Sequence, residues 1–268
     1  MANTVLITGA STGIGRATAE YFHEHGWTVV ATMRKPAGGS ARTRWIELPL
    51  DVTDPSSVGA AITRARELCG RLDVLVNNAG YGLVGTFESI DDHAIRRQFE
   101  TNVFGLMRVT RAVLPWMREM RAGTIVNVSS MGARVTFPYY SVYHATKWAV
   151  DGFSEALRYE LDPLGIRVRI VEPGAVKTDF YGRSEEFVHD RQLAAYNARV
   201  DRVRARMASV GRHGSTPESV AKIIYAAATA TGNQLRYAAG LDAKALLALR
   251  HLIGAQLFQR IVNLQLAR

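Results

Sequence analysis

The chain has 268 residues, 47% hydrophobic and 21% charged, which suits one large α/β domain with a substantial core and excludes a fibrous or disordered chain. The formal charge is +9, but the basic residues are scattered apart from one cluster at Arg199, Arg202, Arg204 and Arg206, and no basic stripe interleaved with aromatics marks a nucleic-acid partner. A single cysteine, Cys69, excludes an internal disulfide framework and fits a reducing, cytoplasmic compartment, and the seven histidines form no metal-binding pattern.

Residues 3–8 read as a short buried strand, with Val5, Leu6 and Ile7 in a row. The glycine-rich turn Thr8-Gly9-Ala10-Ser11-Thr12-Gly13-Ile14-Gly15 follows, then a helical pattern to about His25. Strand, glycine turn and helix in that order let a backbone approach a phosphate at the positive end of the helix dipole. A second strand over 27–33 finishes at Arg34-Lys35-Pro36. In a dinucleotide fold, that strand end meets the adenosine ribose; a basic residue there accommodates a 2′-phosphate, and an acid binds a free 2′-hydroxyl. Arg34 and Lys35, with no acid beside them, point to NADP(H), with NAD(H) also admissible.

Further strands are predicted over 44–49, 73–76, 124–128, 166–172 and 235–237, and helices over 55–69, 89–120, 143–161 and 217–230. The alternation implies a doubly wound, Rossmann-type parallel sheet of about seven strands, helices on both faces, in a single domain. Ligands then gather at the carboxyl ends of the strands, where Asp51, Asn77 and Gly80 fall. Asn102 sits inside the predicted 89–120 helix, a position that costs helix propensity. Residues 175–215 break the alternation and read as a substrate lid with a helix near 190–208. The tail, 243–266, is amphipathic and suits core, a subunit interface or a membrane surface. No run reaches the length of a membrane span or resembles a signal peptide.

Tyr143 and Lys147 stand four apart, so on a helix they share one face. A fixed cation beside a phenol is expected to lower its pKa and make it a usable acid and base near neutrality. Ser130 precedes the tyrosine by thirteen residues.

Thr8–Gly15, Asp51-Val52, Asn77-Asn78-Ala79-Gly80, Asn102, Ser130, Tyr143-x-x-x-Lys147 and Pro173-Gly174 together resemble the classical short-chain dehydrogenases/reductases, in the family's order and over roughly residues 1–180. The resemblance implies an NAD(P)-dependent oxidoreductase interconverting a secondary alcohol and a carbonyl, with Tyr143 as general acid/base and Ser130 on the substrate oxygen. Lys147 would lower the tyrosine pKa and hold the nicotinamide ribose; Asn102 would link Lys147 to solvent through a water. Gly9, Ser11, Gly13, Ile14 and Gly15 would cradle the pyrophosphate. Arg34 and Lys35 would meet the 2′-phosphate, and Asp51 with Val52 the adenine. Asn78, Ala79 and Gly80 would flank the adenosine side, and Pro173, Gly174, Val176 and Thr178 the nicotinamide side. Many NADP-using members carry a basic residue just before the middle glycine; here it is Thr12, so the NADP preference rests on Arg34.

Ala31-Thr32-Met33-Arg34 and the apolar tail resemble hydroxysteroid- and retinol-type members, a cue for a bulky apolar substrate. Met131, Phe137, Tyr139, Tyr140, Tyr181 and Phe187 are the expected pocket wall. The expected partners are a small-molecule substrate and further copies of the chain, as a homodimer or homotetramer, with no stable membrane insertion. The rival readings are a non-catalytic cofactor sensor on the same fold and a membrane-surface enzyme docked by 243–266.

Overall fold

A computed structural model describes residues 2–37, 42–177 and 184–267. Strands β1 (Thr4–Ile7), β2 (Thr28–Met33), β3 (Trp45–Pro49), β4 (Val74–Asn77), β6 (Gly123–Val128), β7 (Ile166–Pro173) and β9 (Arg236–Ala239) form one sheet. Their order is β3-β2-β1-β4-β6-β7-β9, and every pairing is parallel. The chain order reverses between β1 and β4, which opens a crevice at the carboxyl ends of those two strands.

Both faces of the sheet are covered, so the strands are apolar on both sides instead of alternating with polar residues. Val5 and Ile7 of β1 and Val29 and Ala31 of β2 enter one core layer with Phe22 of α1 (Gly13–Glu24) and Ile224 of α7 (Pro217–Thr229). Leu6 and Val30 point the opposite way. They join Val58 and Ile62 of α2 (Pro55–Cys69), Val109 and Val113 of α4 (Leu106–Met120), and Leu157 of α5 (Ser141–Leu161). Asp54 caps α2 by accepting the Ser56 N–H at 2.8 Å, and Gly70 closes that helix in the left-handed conformation, φ 69°.

The predicted 89–120 helix is not continuous. It divides into α3 (Asp92–Phe99), a π-helical stretch over Glu100–Gly105 and α4. Asn102 lies in the π-helical stretch, where the ordinary helical ladder is already interrupted, which removes the propensity objection to an asparagine there. Two short strands escape the sequence reading: β5 (Gly82–Gly85) pairs in parallel with β8 (Glu185–Val188) as a separate two-stranded sheet. Four residues give too little periodicity to show, and β5 has glycine at both ends. The helix expected near 190–208, α6, runs over Ala194–His213, displaced toward the C-terminus. The tail forms α8 (Leu241–Ala267), bent at Gly254, whose φ is 75°.

Candidate active site

The glycine turn joins β1 to α1. Gly9 and Gly13 take left-handed φ values of 67° and 56°. A Cβ on Gly15 would lie 2.2 Å from the Gly9 carbonyl oxygen, so only glycine lets the first turn of α1 close against β1. The Thr12 side chain makes no capping hydrogen bond to the first turn of α1. Beside this turn, the Thr8 hydroxyl accepts the N–H groups of Asn78 and Ala79 at 3.0 and 3.1 Å. The Asn78 amide donates to the carbonyls of Thr8 and Gly9 at 3.0 and 3.1 Å. The Asn78 amide nitrogen thus ties the two strand ends together, a role its motif alone does not reveal.

Below the crevice, Asn77 donates to Thr110 and Asn127, each at 2.9 Å, and Asn127 donates to Ser154 at 2.8 Å. This buried chain of amides and hydroxyls ties β4, β6, α4 and α5 into one frame.

Helix α5 begins at Ser141, two residues ahead of the expectation, and carries Tyr143 and Lys147 into a cleft of about 210 Å³ with Ser130 at the end of β6. Gly9, Gly13, Ile14, Gly15, Asn78, Gly80, Pro173, Gly174 and Val176 line the same cleft. The Ser130 hydroxyl accepts the Gly132 N–H at 3.0 Å, which fixes its orientation. Burial pushes the Tyr143 phenol up to about 12, partly opposed by a hydrogen bond with Ser130. The net shift is therefore upward, against the expected depression. The Lys147 ammonium lies 5.8 Å from the Tyr143 ring centroid and donates to the Val128 carbonyl at 3.0 Å. Burial brings Lys147 down to about 8, and Asp151 acts against that fall.

Asn102 does not line the cleft. Its amide donates to the Tyr81 carbonyl (2.8 Å) and the Thr146 hydroxyl (3.1 Å), and its oxygen accepts the Tyr81 N–H at 3.0 Å. It holds the residue beside Lys147, and one acceptor site on its oxygen remains. Ser11, Arg34 and Lys35 are exposed outside the cleft, with Arg34 and Lys35 just past the end of β2. Asp51, Val52 and Ala79 also lie outside it; Asp51 accepts the backbone N–H and hydroxyl of Thr53 at 2.9 and 2.7 Å. Thr178 and Tyr181 fall outside the described residues.

Of the expected pocket wall, Met131, Phe137 and Tyr140 line the cleft. Tyr139 and Phe187 instead line a separate crevice against α6, and the Arg204 guanidinium sits 3.8 Å from the Phe187 ring centroid. Residues the sequence reading missed in the wall include Tyr81, His144, Ser184 and Met207. His144 lies within the Tyr143–Lys147 stretch, but its type gave no signal. Burial takes it down to about 4, opposed by the Gly132 backbone, so it is neutral. Its Nε2 accepts the Phe137 N–H at 3.0 Å, and a Cβ on Gly132 would strike its Nδ1 at 2.5 Å.

Behind the cleft lies a cluster of buried charges. The Ser129 hydroxyl donates to Asp151 at 2.5 Å, and Arg236 bonds Asp151 on its other oxygen and Glu155 at 2.8 Å. Glu172, almost fully buried, is 3.7 Å from Arg236 and 3.9 Å from Arg134. Burial first, and the Asp151 charge second, push Glu172 up to about 7 against the pull of both arginines.

The short chain dehydrogenase family pattern matches residues 3–188. A 3-ketodihydrosphingosine reductase from Bacteroides thetaiotaomicron is 43% identical over 176 residues, 66% of this chain and 65% of that protein. A solved short-chain dehydrogenase from Streptomyces avermitilis is 38% identical with a TM-score of 0.84, covering 94% of this chain and 92% of that one. The structure of ElxO with NADP bound is 29% identical with a TM-score of 0.74, covering 89% and 97%. With a seven-stranded parallel sheet and a Ser-Tyr-Lys cleft beside its glycine turn, this chain belongs to the short-chain dehydrogenase/reductase family of oxidoreductases acting on CH–OH groups.

Proposed function

We propose that the protein is an NADP(H)-preferring oxidoreductase that interconverts a secondary alcohol and a ketone or aldehyde on a bulky apolar substrate. The observation that carries this reading is the convergence of Ser130, Tyr143 and Lys147 on one cleft with the glycine turn. The residues fit a dinucleotide: the close backbone at Gly9 and Gly15 and the uncapped start of α1 suit a pyrophosphate. Asp51 and Val52 would border the adenine, and Pro173, Gly174 and Val176 the nicotinamide. A bound nicotinamide supplies or takes the hydride.

The chain's own residues handle the oxygen and the proton. Ser130 would donate to the substrate oxygen, held in place by the Gly132 N–H. Tyr143, protonated at neutral pH, would give its proton to that oxygen as charge develops there, so its resting form suits reduction. Lys147 would hold the ribose and support the phenolate left behind. Asn102 would position this helix through Thr146 and relay protons to Lys147 through a water on its remaining acceptor site.

Arg34 and Lys35 support the NADP preference by their place after β2, and ElxO, similar in fold and sequence, binds NADP. Met131, Phe137, Tyr140 and Met207 make an apolar wall, which supports a bulky apolar substrate; the Bacteroides relative is named a 3-ketodihydrosphingosine reductase. Residues 175–215, with α6, would act as the lid. Exposed Phe104 and Trp148 support a homo-oligomer.

The test is NADPH and NADH oxidation measured in parallel over a panel of ketones and aldehydes. Turnover with NADPH, lost in Tyr143→Phe, is the expected result, and it would also eliminate a non-catalytic cofactor sensor. A strong preference for NADH would sink the Arg34 argument. No turnover with either cofactor would sink the enzyme reading.

A further inference from the structure

Helix α8 has two apolar faces, and the fold uses one. Ala243, Leu247 and Phe258 turn inward onto Met131 and Val135, with Phe137 packed alongside. On the outer side, Leu241, Ala245, Ala248, Leu249 and Leu252 recur at i, i+4, i+7, i+8 and i+11, which is one stripe of a helix. Leu241 is 84% and Leu252 80% exposed, and exposed Leu257 and Leu264 follow beyond the bend at Gly254. Isolated exposed leucines need no explanation, but a stripe along a helix does.

The charge around the stripe is one-sided. Helices α6 and α8 together carry eight lysines and arginines and two acids. Both acids are engaged: Asp201 pairs with Arg191 at 2.7 Å, and Asp242 accepts the Ala175 N–H at 2.7 Å. Arg202, Arg204, Arg206, Arg212, Lys244 and Arg260 are exposed. The Arg199 guanidinium donates to Asn263 at 3.1 Å, so the basic helix lies against the one bearing the leucines.

We propose that this face of α8, flanked by the arginines of α6, docks the protein on an anionic lipid surface. A second copy is the poorer occupant. A two-fold contact would set the same surplus of positive charge against itself, at a cost that a row of leucines must first overcome. A headgroup layer instead takes leucines in its plane and neutralises the arginines. No helix among the described residues is long and apolar enough to cross a membrane, so the contact is one of lying on the surface. Met207 of α6 lines the cleft, and the inner face of α8 packs behind Met131, another residue of the cleft wall. The inference does not rest on the substrate reading.

The experiment is co-sedimentation of the full chain with phosphatidylcholine vesicles, with and without phosphatidylserine, at low and high salt. Pelleting that requires phosphatidylserine and is reversed by salt is the expected result. Leu249→Glu and Leu252→Glu should each weaken binding about tenfold or more, with melting temperature and turnover of a water-soluble ketone unchanged. No pelleting of the wild-type chain, or pelleting that the leucine variants leave intact, overturns the proposal. So does wild-type self-association in light scattering that the variants abolish, which would make the face a contact between copies. The wild-type lipid and salt dependence decides the question even if a variant fails to fold.

Discussion

The glycine turn and the apolar wall line one cleft and are built by different means. The turn side is backbone: left-handed glycines, strand ends and a helix start brought within contact distance of each other. The wall side is side chains from β6, the loop before α5, α5 itself and α6, which fill space without one required geometry. Demands on the backbone leave few allowed residues, whereas demands on volume leave many. The first side should therefore be brittle and the second adaptable.

The largest effect expected is at the boundary between the two. Tyr143→Phe should lower kcat by about a hundredfold to ten-thousandfold, while cofactor titration and melting temperature stay near wild type. Loss of cofactor binding in that variant would show that the two sides are not separable. Next, Gly15→Ala should cost about 1–3 kcal/mol or more in urea unfolding, because the new methyl meets the Gly9 carbonyl. Phe137→Ala, on the other side, should move KM for apolar ketones with little change in cofactor affinity. If both variants behave alike, the contrast between brittle and adaptable sides is gone.

A third test concerns Glu172, behind the cleft. Its folded pKa near 7 lies above the ordinary value of 4.5, so between those values the folded chain holds a proton that the unfolded chain has released. Stability should then fall as pH rises from about 4.5 to 7, by on the order of 3 kcal/mol at most. Glu172→Gln should flatten that slope in unfolding measured across the range; an unchanged slope would remove Glu172 as its source. The smallest effect is Arg34→Glu, which should lower kcat/KM for NADPH about tenfold to a hundredfold and leave NADH less affected. Equal loss with both cofactors would mean that Arg34 does not read the 2′-phosphate.

The sheet was legible because its central strands bury both faces and show as apolar runs. The glycine turn, Ser130, Tyr143 and Lys147 were legible because their spacing is fixed by the elements that carry them. The electrostatics were not. The sequence places a lysine four residues from a tyrosine, but not the Val128 carbonyl that accepts a hydrogen bond from its ammonium or the burial that raises the phenol. The interruption at Asn102 and the neutral His144 were hidden because each depends on three-dimensional surroundings: distant partners, Tyr81 and Thr146, for the asparagine, and burial with a loop N–H for the histidine. Tyr139 and Phe187 were assigned to the cleft by residue type, which carries no direction.

The pairing of β5 with β8 has a consequence for how the chain reaches its final form. Residues 82–85 must find residues 185–188, across roughly a hundred intervening residues, and at Gly85 the strands approach so closely that a Cβ would overlap the Val188 carbonyl. Such a contact cannot nucleate folding, because its loop-closure cost is met only after the main sheet has brought the two segments near. On a ribosome, the glycine turn and the Tyr143–Lys147 helix emerge well before Val188 does. The pairing of β5 with β8 is thus a late addition to a finished floor, and a nascent chain has Ser130, Tyr143 and Lys147 before Ser184 and Met207 arrive to complete the cleft wall.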